Sequence, residues 1–489
     1  MRKCITTGLF AAGVFSLTSA SPAFGFQSSP ATSTPIHHLV VIFDENNSFD
    51  HYFGTYPNAA NLAGEPVFTA KPNTPGVNGL TAGLLTNNPN STQPFRLDRS
   101  QALTCDNDNA YAAEQKAYDH GLADQFPQMT SATGAGCTPA LAMGYYDGNT
   151  VTALWNYAQN YAMSDNFFGT TFGTTVMGHL NLLSGQTHQT GVASKAGTIA
   201  NGSVVANINP VTDDCTTGAT VEMTSKNVGD LLNAQGVTWG WFYADFDALS
   251  TVNGVAQCSS LYNPHYMPFQ YWASTANPHH LPPSSPAMIG QTDQANHQYA
   301  ISDLLNLVAN GGTLPAVTFL KATSSQTGHP ANSTPLEEQA FLVQTINFLE
   351  SLPQWSDMAI IITYDDSDGW YDHVLAPIVS PSGDSANDAL AGTTGLCGTA
   401  AGTAYQDRCG YGPRLPMVLI SPFAKPNFVD HTVNDQSSVL RFIEDNWQLG
   451  RIGDQSLDVL AGSMLNLFNF TGTPAAPLFL DPATGQIVK

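Results

Sequence analysis

Two short acidic segments carry the residues best suited to chemistry. Asp44-Glu45-Asn46 directly follows one apolar run, and Asp365-Asp366 directly follows another. Carboxylate and amide oxygens are the ligands that hard divalent cations prefer, with Ca, Mg, Mn and Zn all open. Acidic residues at such positions are also common as solvated turns and caps. Because only 11% of the chain is charged, the paired segments favour a divalent metal site.

A hydroxyl nucleophile is placed where it could serve such a cation. Thr174 and Thr175 follow Gly173 and precede an apolar stretch with a helical start. A threonine in the first turn of a helix would meet an anion together with free backbone N–H groups. Either threonine could equally be an ordinary N-cap. The residues alone leave the nucleophile open.

The elements that must position these residues are short apolar runs, each followed by polar or turn residues. Runs of this kind are typical of strands buried on both faces, and hence of a parallel sheet. They occupy residues 38–43, 314–320, 358–364 and 415–420. Ligands bind at the carboxyl ends of such strands, which is where both acidic segments fall.

A helix is predicted between two of these runs. Thr334-Pro335-Leu336-Glu337 offers an N-cap, a proline at the first helical position and a glutamate that closes a capping box, and Pro353 ends the element. Strand, helix and strand in this order form a βαβ crossover. We therefore expect one domain over residues 36–489. The segment from about 185 to 300, rich in small polar residues and aromatics, is interpreted as insertions over the sheet that form pocket walls.

The first 25 residues are typical of a secretory signal peptide. Arg2 and Lys3 precede an apolar run at 8–17 and a small-residue stretch. A membrane anchor is the alternative, but spanning a bilayer takes roughly 20 residues. Residues 26–35 then form a flexible lead-in, and the mature protein is expected to be secreted or periplasmic.

Six of the seven cysteines lie beyond that segment, and an even number in an exported chain favours disulfides. Proximity in the sequence favours Cys105–Cys137, Cys215–Cys258 and Cys397–Cys409. A structural zinc cluster is the alternative, but the chain has no CxxC spacing.

The charge of the chain excludes some partners. Lys and Arg number 15 against 38 Asp and Glu, and such a field repels nucleic acid and anionic membrane surfaces. No segment after the first 25 residues is apolar for long enough to insert stably into a membrane. An anionic substrate must therefore meet a locally positive site, for which bound metal is the obvious source. The oligomeric state stays open.

The opening motif at residues 38–54 resembles that of the phospholipase C/acid phosphatase family, a branch of the alkaline-phosphatase-like superfamily. Further matches cover nearly the whole mature chain, at residues 114–118, 172–185, 268–277, 329–335, 364–373 and 415–422. The resemblance implies an α/β fold, a three-layer α/β/α sandwich with a mostly parallel central sheet and insertions that form the pocket walls.

The resemblance also implies roles for individual residues. Thr175 stands where the family has its nucleophile, and His329 matches a catalytic histidine that contacts the substrate phosphate. The family's metal-site positions fall on Glu45, Asn46, Asp365 and Asp366. The substrate-binding positions fall on His265, Asn109 and His373.

Three positions depart from the family pattern. Asn109 stands where similar proteins carry a histidine, and Tyr266 replaces one member of a histidine pair. Asn47 replaces a common arginine. An asparagine can donate a hydrogen bond to phosphate, but it cannot act as a charged donor. Turnover or substrate choice is therefore expected to differ from that of relatives.

The function predicted first is an acid-phosphatase-like monoesterase that acts on small phosphate esters through a phosphothreonine. The alternatives are a phospholipase C that cleaves phospholipid head groups and a secreted binding protein with impaired catalysis. A serine hydrolase is disfavoured because no GxSxG elbow occurs in the sequence.

Overall fold

The computed structural model describes residues 31–488 except 133, 135, 194–197, 391–394, 396 and 399–407. The predicted signal peptide and the first half of the predicted lead-in, residues 26–30, lie outside the described residues. The central element is an eight-stranded sheet. In chain order its strands are β1 His38–Asp44, β2 Ala162–Ser164, β3 Trp239–Tyr243, β4 Gln298–Ala300, β5 Val317–Lys321, β6 Met358–Tyr364, β7 Met417–Ile420 and β8 Phe428–Asp430.

The strands lie in the order β4-β3-β5-β1-β6-β7-β2-β8. Strand β1 pairs in parallel with β5 on one side and β6 on the other, and only β7 runs against the rest. The expectation of a mostly parallel sheet is therefore confirmed. The run at residues 415–420 was expected to form a parallel strand of the sheet. That expectation was wrong, because β7 is antiparallel to its neighbours. No helical crossover occurs among the described residues between β6 and β7, so the chain re-enters the sheet at the edge where β6 ends.

Ten α-helices surround the sheet in the described part of the chain. They are α1 Phe49–Phe53, α2 Ala82–Thr86, α3 Tyr111–Ala117, α4 Phe126–Met129, α5 Thr152–Asn160, α6 Thr175–Ser184, α7 Val228–Gln235, α8 Ile301–Ala309, α9 Pro335–Glu350 and α10 Gln436–Trp447. The capping box predicted for α9 is present, with the Thr334 hydroxyl accepting from the Glu337 amide.

Side chains of β1 and β6 show that helices cover both faces of the sheet. Phe43 points to one face, where its ring meets that of His179 on α6 at 4.9 Å between centroids. Tyr364 is paired with Asp44, so it points to the opposite face, where its hydroxyl contacts Glu338 on α9. The predicted three-layer α/β/α sandwich is confirmed by this arrangement.

The interpretation of residues 185–300 as insertions alone was wrong. This segment contributes β3 and β4 to the central sheet, and every residue of β3 is buried. The aromatic run of β3, Trp-Gly-Trp-Phe-Tyr, packs its rings on both faces and so lacks the aliphatic pattern of the other strands. The rest of the segment does lie outside the sheet, in α7 and in short strands at Thr190–Ala193, Ile199–Ala200, Ser203–Val204, Asn209–Pro210, Thr220–Met223, Ser250–Val252 and Val255–Gln257.

Disulfides join Cys105 to Cys137, Cys215 to Cys258 and Cys397 to Cys409. All three pairings expected from proximity are confirmed. Disulfides persist in oxidising compartments, so the described chain is that of an extracytoplasmic protein. No helix in the described residues is long and apolar enough to cross a membrane. A contiguous apolar cluster extends from Ile36 to Leu480, while the single domain over 36–489 stays a prediction.

Candidate functional site

Three neighbouring strands bring charged side chains to one edge of the sheet. Glu45 follows β1, Asp365 follows β6, and Lys321 is the last residue of β5. The strands are parallel neighbours, so their carboxyl ends meet at the same edge. Glu45 and Lys321 form an ion pair with both side chains fully buried.

Helix α6 adds a hydroxyl and an imidazole to this edge. Thr174 is its N-cap and Thr175 its first residue, as the spacing predicted. The Thr175 hydroxyl lies 3.4 Å from Oδ2 of Asp366. One turn later, the Nδ1–H of His179 donates to the Thr175 carbonyl at 2.8 Å, which leaves Nε2 as the acceptor nitrogen. Residues four apart share a helix face, so Thr175 and His179 both point toward the acidic edge.

The donor atoms at this edge fit a divalent cation. Ligand atoms of Glu45, His179 and Asp365 lie within 4.8 Å of one another. Oε2 of Glu45, Oδ2 of Asp365, Oδ1 of Asn46 and Nε2 of His179 are buried and have no hydrogen-bond partner among the described residues. Buried polar atoms are nearly always paired, so unpaired atoms on all three residues of this group and on the adjacent Asn46 indicate a place for a ligand. Carboxylate, amide and imidazole donors suit a hard or borderline ion.

A hydrogen-bond network holds the remaining acidic residues. The Asn46 amide N–H donates to Oδ1 of Asp365 at 3.0 Å, and the Asn46 side chain donates to Oδ1 of Asp368 at 3.2 Å. The Asn109 side chain donates to Oδ1 of Asp366 at 3.0 Å. The hydrogen bonds of Asn46 thereby hold the loop after β1 to the loop after β6.

Crowding of buried carboxylates strongly shifts the pKa values of acidic residues in this network. Burial, followed by repulsion from Asp365, raises the pKa of both Glu45 and Asp366 well above the ordinary range. Burial and then repulsion from Asp106 do the same to the pKa of Asp368. Strongly shifted groups in a cleft are typical of functional sites. A bound cation would relieve this repulsion directly.

A cavity of about 350 Å³ opens onto the nucleophile side of the network. Its lining includes Glu45, Thr175, His265, Tyr266, His329 and the segment 260–263. Burial lowers the pKa of His265 to about 4, so this imidazole is neutral at physiological pH. The Nδ1–H of His329 donates to the Pro330 carbonyl at 2.7 Å, and its Nε2 accepts from the Asn46 side chain at 3.3 Å.

The structure brings most of the predicted site residues together. The four predicted metal ligands, Thr175, His265 and His329 surround the cavity or the acidic edge, and Asn109 contacts Asp366 without lining the cavity. Sequence reasoning gave no role to His179 or Lys321. Two signals in the sequence could have found them. His179 lies four residues after Thr175, on the same helix face, and Lys321 is the single charged residue that ends the apolar run of β5.

His373 does not join the cavity. Its Nδ1 lies 2.6 Å from Oδ2 of Asp50, which in turn pairs with Arg414. Burial alone would lower the pKa of His373, but the Asp50 carboxylate outweighs it and raises that pKa. The position of His373 therefore does not support the predicted contact with substrate, because its imidazole belongs to an ion cluster with Asp50 and Arg414.

Comparison with known proteins gives the class of this fold and site. A model of the Phosphoesterase family matches residues 36–450, and the chain belongs to that family. The predicted class, a phosphoester hydrolase, is confirmed at this level.

Several relatives within the class are phospholipases C. A non-hemolytic phospholipase C of Pseudomonas aeruginosa is 25% identical, over 97% of this chain and 65% of that protein. Phospholipase C A of Mycobacterium tuberculosis is 24% identical, over 100% of this chain and 89% of that protein. The chain thus spans just under two thirds of the Pseudomonas relative. These names support the phospholipase C alternative better than the acid phosphatase predicted first.

Among solved structures, the chain is similar to a protein in the alkaline phosphatase superfamily from Vibrio parahaemolyticus. The TM-score is 0.34 at 11% identity, over 87% of this chain and 71% of that one.

Proposed function

We propose that this protein is an extracytoplasmic phospholipase C that cleaves the phosphodiester of phospholipid head groups, with Thr175 as nucleophile. One observation carries the proposal. The Thr175 hydroxyl lies between the acidic edge and a cavity of about 350 Å³. A cavity of this size suits a head group better than a whole lipid.

The chemistry of the donor set supports a divalent cation held by Glu45, Asn46, Asp365 and Asp366, with His179 as an additional candidate ligand. When bound, the cation would lower the pKa of the Thr175 hydroxyl and neutralise charge on the phosphate oxygens. A bound cation would also supply positive charge to this cavity, since the charge of Lys321 is already paired with Glu45.

The chain's own residues complete the reaction. Oδ2 of Asp366 accepts the Thr175 proton as the threonine oxygen forms its bond to phosphorus, and the bond from phosphorus to the glycerol oxygen breaks. For this step Nε2 of His329 carries a proton in place of the hydrogen bond from Asn46, and it donates that proton to the departing diacylglycerol oxygen. Water then forms a bond to phosphorus as the bond from phosphorus to the Thr175 oxygen breaks; the water gives a proton to His329, and Asp366 returns its proton to Thr175. The head-group phosphate leaves, and both groups recover their starting states.

The test is hydrolysis of two soluble esters by purified, metal-loaded protein. Release of p-nitrophenol from p-nitrophenyl phosphorylcholine, at a rate well above that from p-nitrophenyl phosphate, is the expected result. A clear preference for the monoester p-nitrophenyl phosphate would instead support the acid phosphatase function predicted first. Hydrolysis of neither ester, with metal bound, would favour a binding protein that has lost catalysis.

A further inference from the structure

A short hairpin stands beside the cavity. Its strands, Ser250–Val252 and Val255–Gln257, pair in antiparallel fashion with Val252 opposite Val255. Asn253 and Gly254 join them, with φ values of 51° and 83°. Two positive φ angles at an Asn-Gly pair are typical of a type I′ turn, whose twist matches that of the strands. The two valines therefore flank the tip of the hairpin.

The hairpin turns these valines toward solvent. Directly opposed residues share a face, and successive residues alternate between faces. Ala256, which pairs with the exposed Thr251, is only 3% exposed, so this face lies against the protein at Ala256. Val252 and Val255 lie on the other face and are 53% and 43% exposed.

More exposed apolar residues surround this tip. Leu249 precedes the hairpin and is 73% exposed, and Leu261 follows it and is 61% exposed. Scattered single apolar residues on a surface need no explanation, but four large ones within 13 residues form a patch of the kind that marks an interaction site. Leu261 also lines the cavity, so the patch reaches its mouth.

The hairpin is fixed to the cavity wall. Its second strand continues directly into Cys258, whose disulfide to Cys215 anchors it. The Ala256 amide donates to Oδ2 of Asp214 at 2.8 Å. The wall begins at Ser260, so the α-carbons of Gln257 and Ser260 are at most about 11 Å apart. The base of the hairpin therefore lies close to the cavity wall.

The charge of this region selects the kind of surface. The sequence has no Asp, Glu, Lys or Arg between residues 248 and 292, although the chain carries a net charge of −23. An anionic surface would be repelled by the rest of the molecule and would find no basic side chain in this stretch. An electrically neutral, zwitterionic lipid surface meets neither obstacle, and apolar side chains insert into its headgroup boundary.

We propose that Leu249, Val252, Val255 and Leu261 form a lipid-docking face that adsorbs reversibly to zwitterionic phospholipid surfaces and presents head groups to the cavity. The inference rests on the proposed phospholipase C function and names how the substrate reaches that site.

The experiment separates docking from chemistry. Binding is measured by sedimentation with phosphatidylcholine vesicles in a Thr175→Ala background, so that the lipid is not consumed. The double variant Val252→Ser/Val255→Ser is expected to bind about tenfold more weakly, since two apolar side chains no longer enter the interface. In protein that retains Thr175, the same double variant is expected to hydrolyse soluble p-nitrophenyl phosphorylcholine at the parent rate, because neither valine lines the cavity.

A matched control is Val459→Ser. Val459 is 49% exposed and lies at the opposite end of α6 from Thr175, beside Leu457, whose amide donates to the Gly185 carbonyl. This variant is expected to bind vesicles like its parent.

Four results would overturn the docking face. They are no binding of the parent to phosphatidylcholine, equal binding by the double variant, tighter binding to phosphatidylglycerol vesicles, and a dimer of the parent that the double variant loses in analytical ultracentrifugation. The last would assign the face to a second copy of the chain. Failure of the proposed function is a separate result, because it would appear as no hydrolysis of the soluble ester while vesicle binding is unaffected.

Discussion

The hydroxyl oxygen of Thr175 lies 3.4 Å from Oδ2 of Asp366, at the first residue of α6. Thr175→Ala is expected to lower turnover by roughly 10⁴-fold or more, because a methyl group cannot form the covalent intermediate. Thr175→Ser should keep activity. Initial rates on the soluble diester, with mass spectrometry of the trapped phosphopeptide, are the measurement.

Thr174→Ala is the matched control for that series. Thr174 is the N-cap, and its hydroxyl makes no cap hydrogen bond, so we expect nearly full activity. Loss of activity in Thr174→Ala but not in Thr175→Ala would move the nucleophile by one residue.

Metal content and activity are expected to fall together when a carboxylate of the acidic edge is neutralised. Glu45→Gln and Asp365→Asn each remove an anionic ligand. Elemental analysis after dialysis against the metal is the readout, with Asp384→Asn as control, since that buried carboxylate pairs with Arg408 instead. Unchanged metal content in both ligand variants would remove these residues from the coordination sphere.

Lys321 is expected to stabilise the protein before metal binds. Its ammonium is fully buried against Glu45, and loss of one partner of a buried ion pair costs roughly 3–5 kcal/mol. Lys321→Met should therefore lower the melting temperature strongly in chelator, and added divalent metal should restore much of the loss by taking over the role of the ammonium. An equal loss with and without metal would show that Glu45 does not bind the ion.

Asn109 tests the departure from the family pattern. Its side chain reaches Asp366, so a histidine there would lie beside the acidic pair and near the reacting phosphate. We expect Asn109→His to raise turnover below about pH 6.5, where an unperturbed imidazole is protonated, by roughly tenfold. The pH–rate profile is the measurement. If the profile of the variant matches that of the parent across the acid range, the presence of asparagine rather than histidine at position 109 does not affect the mechanism.

Glu350, far from the acidic edge along α9, controls a pH dependence of stability. Burial raises its pKa from 4.5 to about 7, although hydrogen bonds from the Tyr161 hydroxyl and the Leu478 amide oppose the shift. A carboxyl with a raised pKa binds its proton more tightly when folded. Its contribution to stability is therefore complete below about pH 4.5 and is lost as the pH rises through 7.

Glu350→Gln keeps an acceptor for the Leu478 amide and removes the titration. Between pH 5 and 7 the free energy of unfolding of the parent should fall by about 2 kcal/mol relative to the variant. Urea titrations at several pH values measure this difference. Parallel curves for the two proteins would show that Glu350 does not titrate in this range.

Features that depend on local pattern could be predicted from the residues alone. The apolar runs of β1, β5 and β6, the capping box of α9, the disulfide pairings and the start of α6 beside Thr175 all follow from residues close in the chain. The two acidic segments were predictable too, because parallel strands deliver their carboxyl ends to one edge.

Contacts between side chains distant in the chain could not be predicted from local pattern. Lys321 and Glu45 are 276 positions apart, and their contact depends on β5 lying next to β1 in a register that no local pattern contains. The same holds for His373, whose motif suggests the site but whose partner Asp50 holds it elsewhere. Sheet order and register are set by the packing of the whole core, since backbone pairing is nearly indifferent to sequence and the burial of every strand together selects one arrangement.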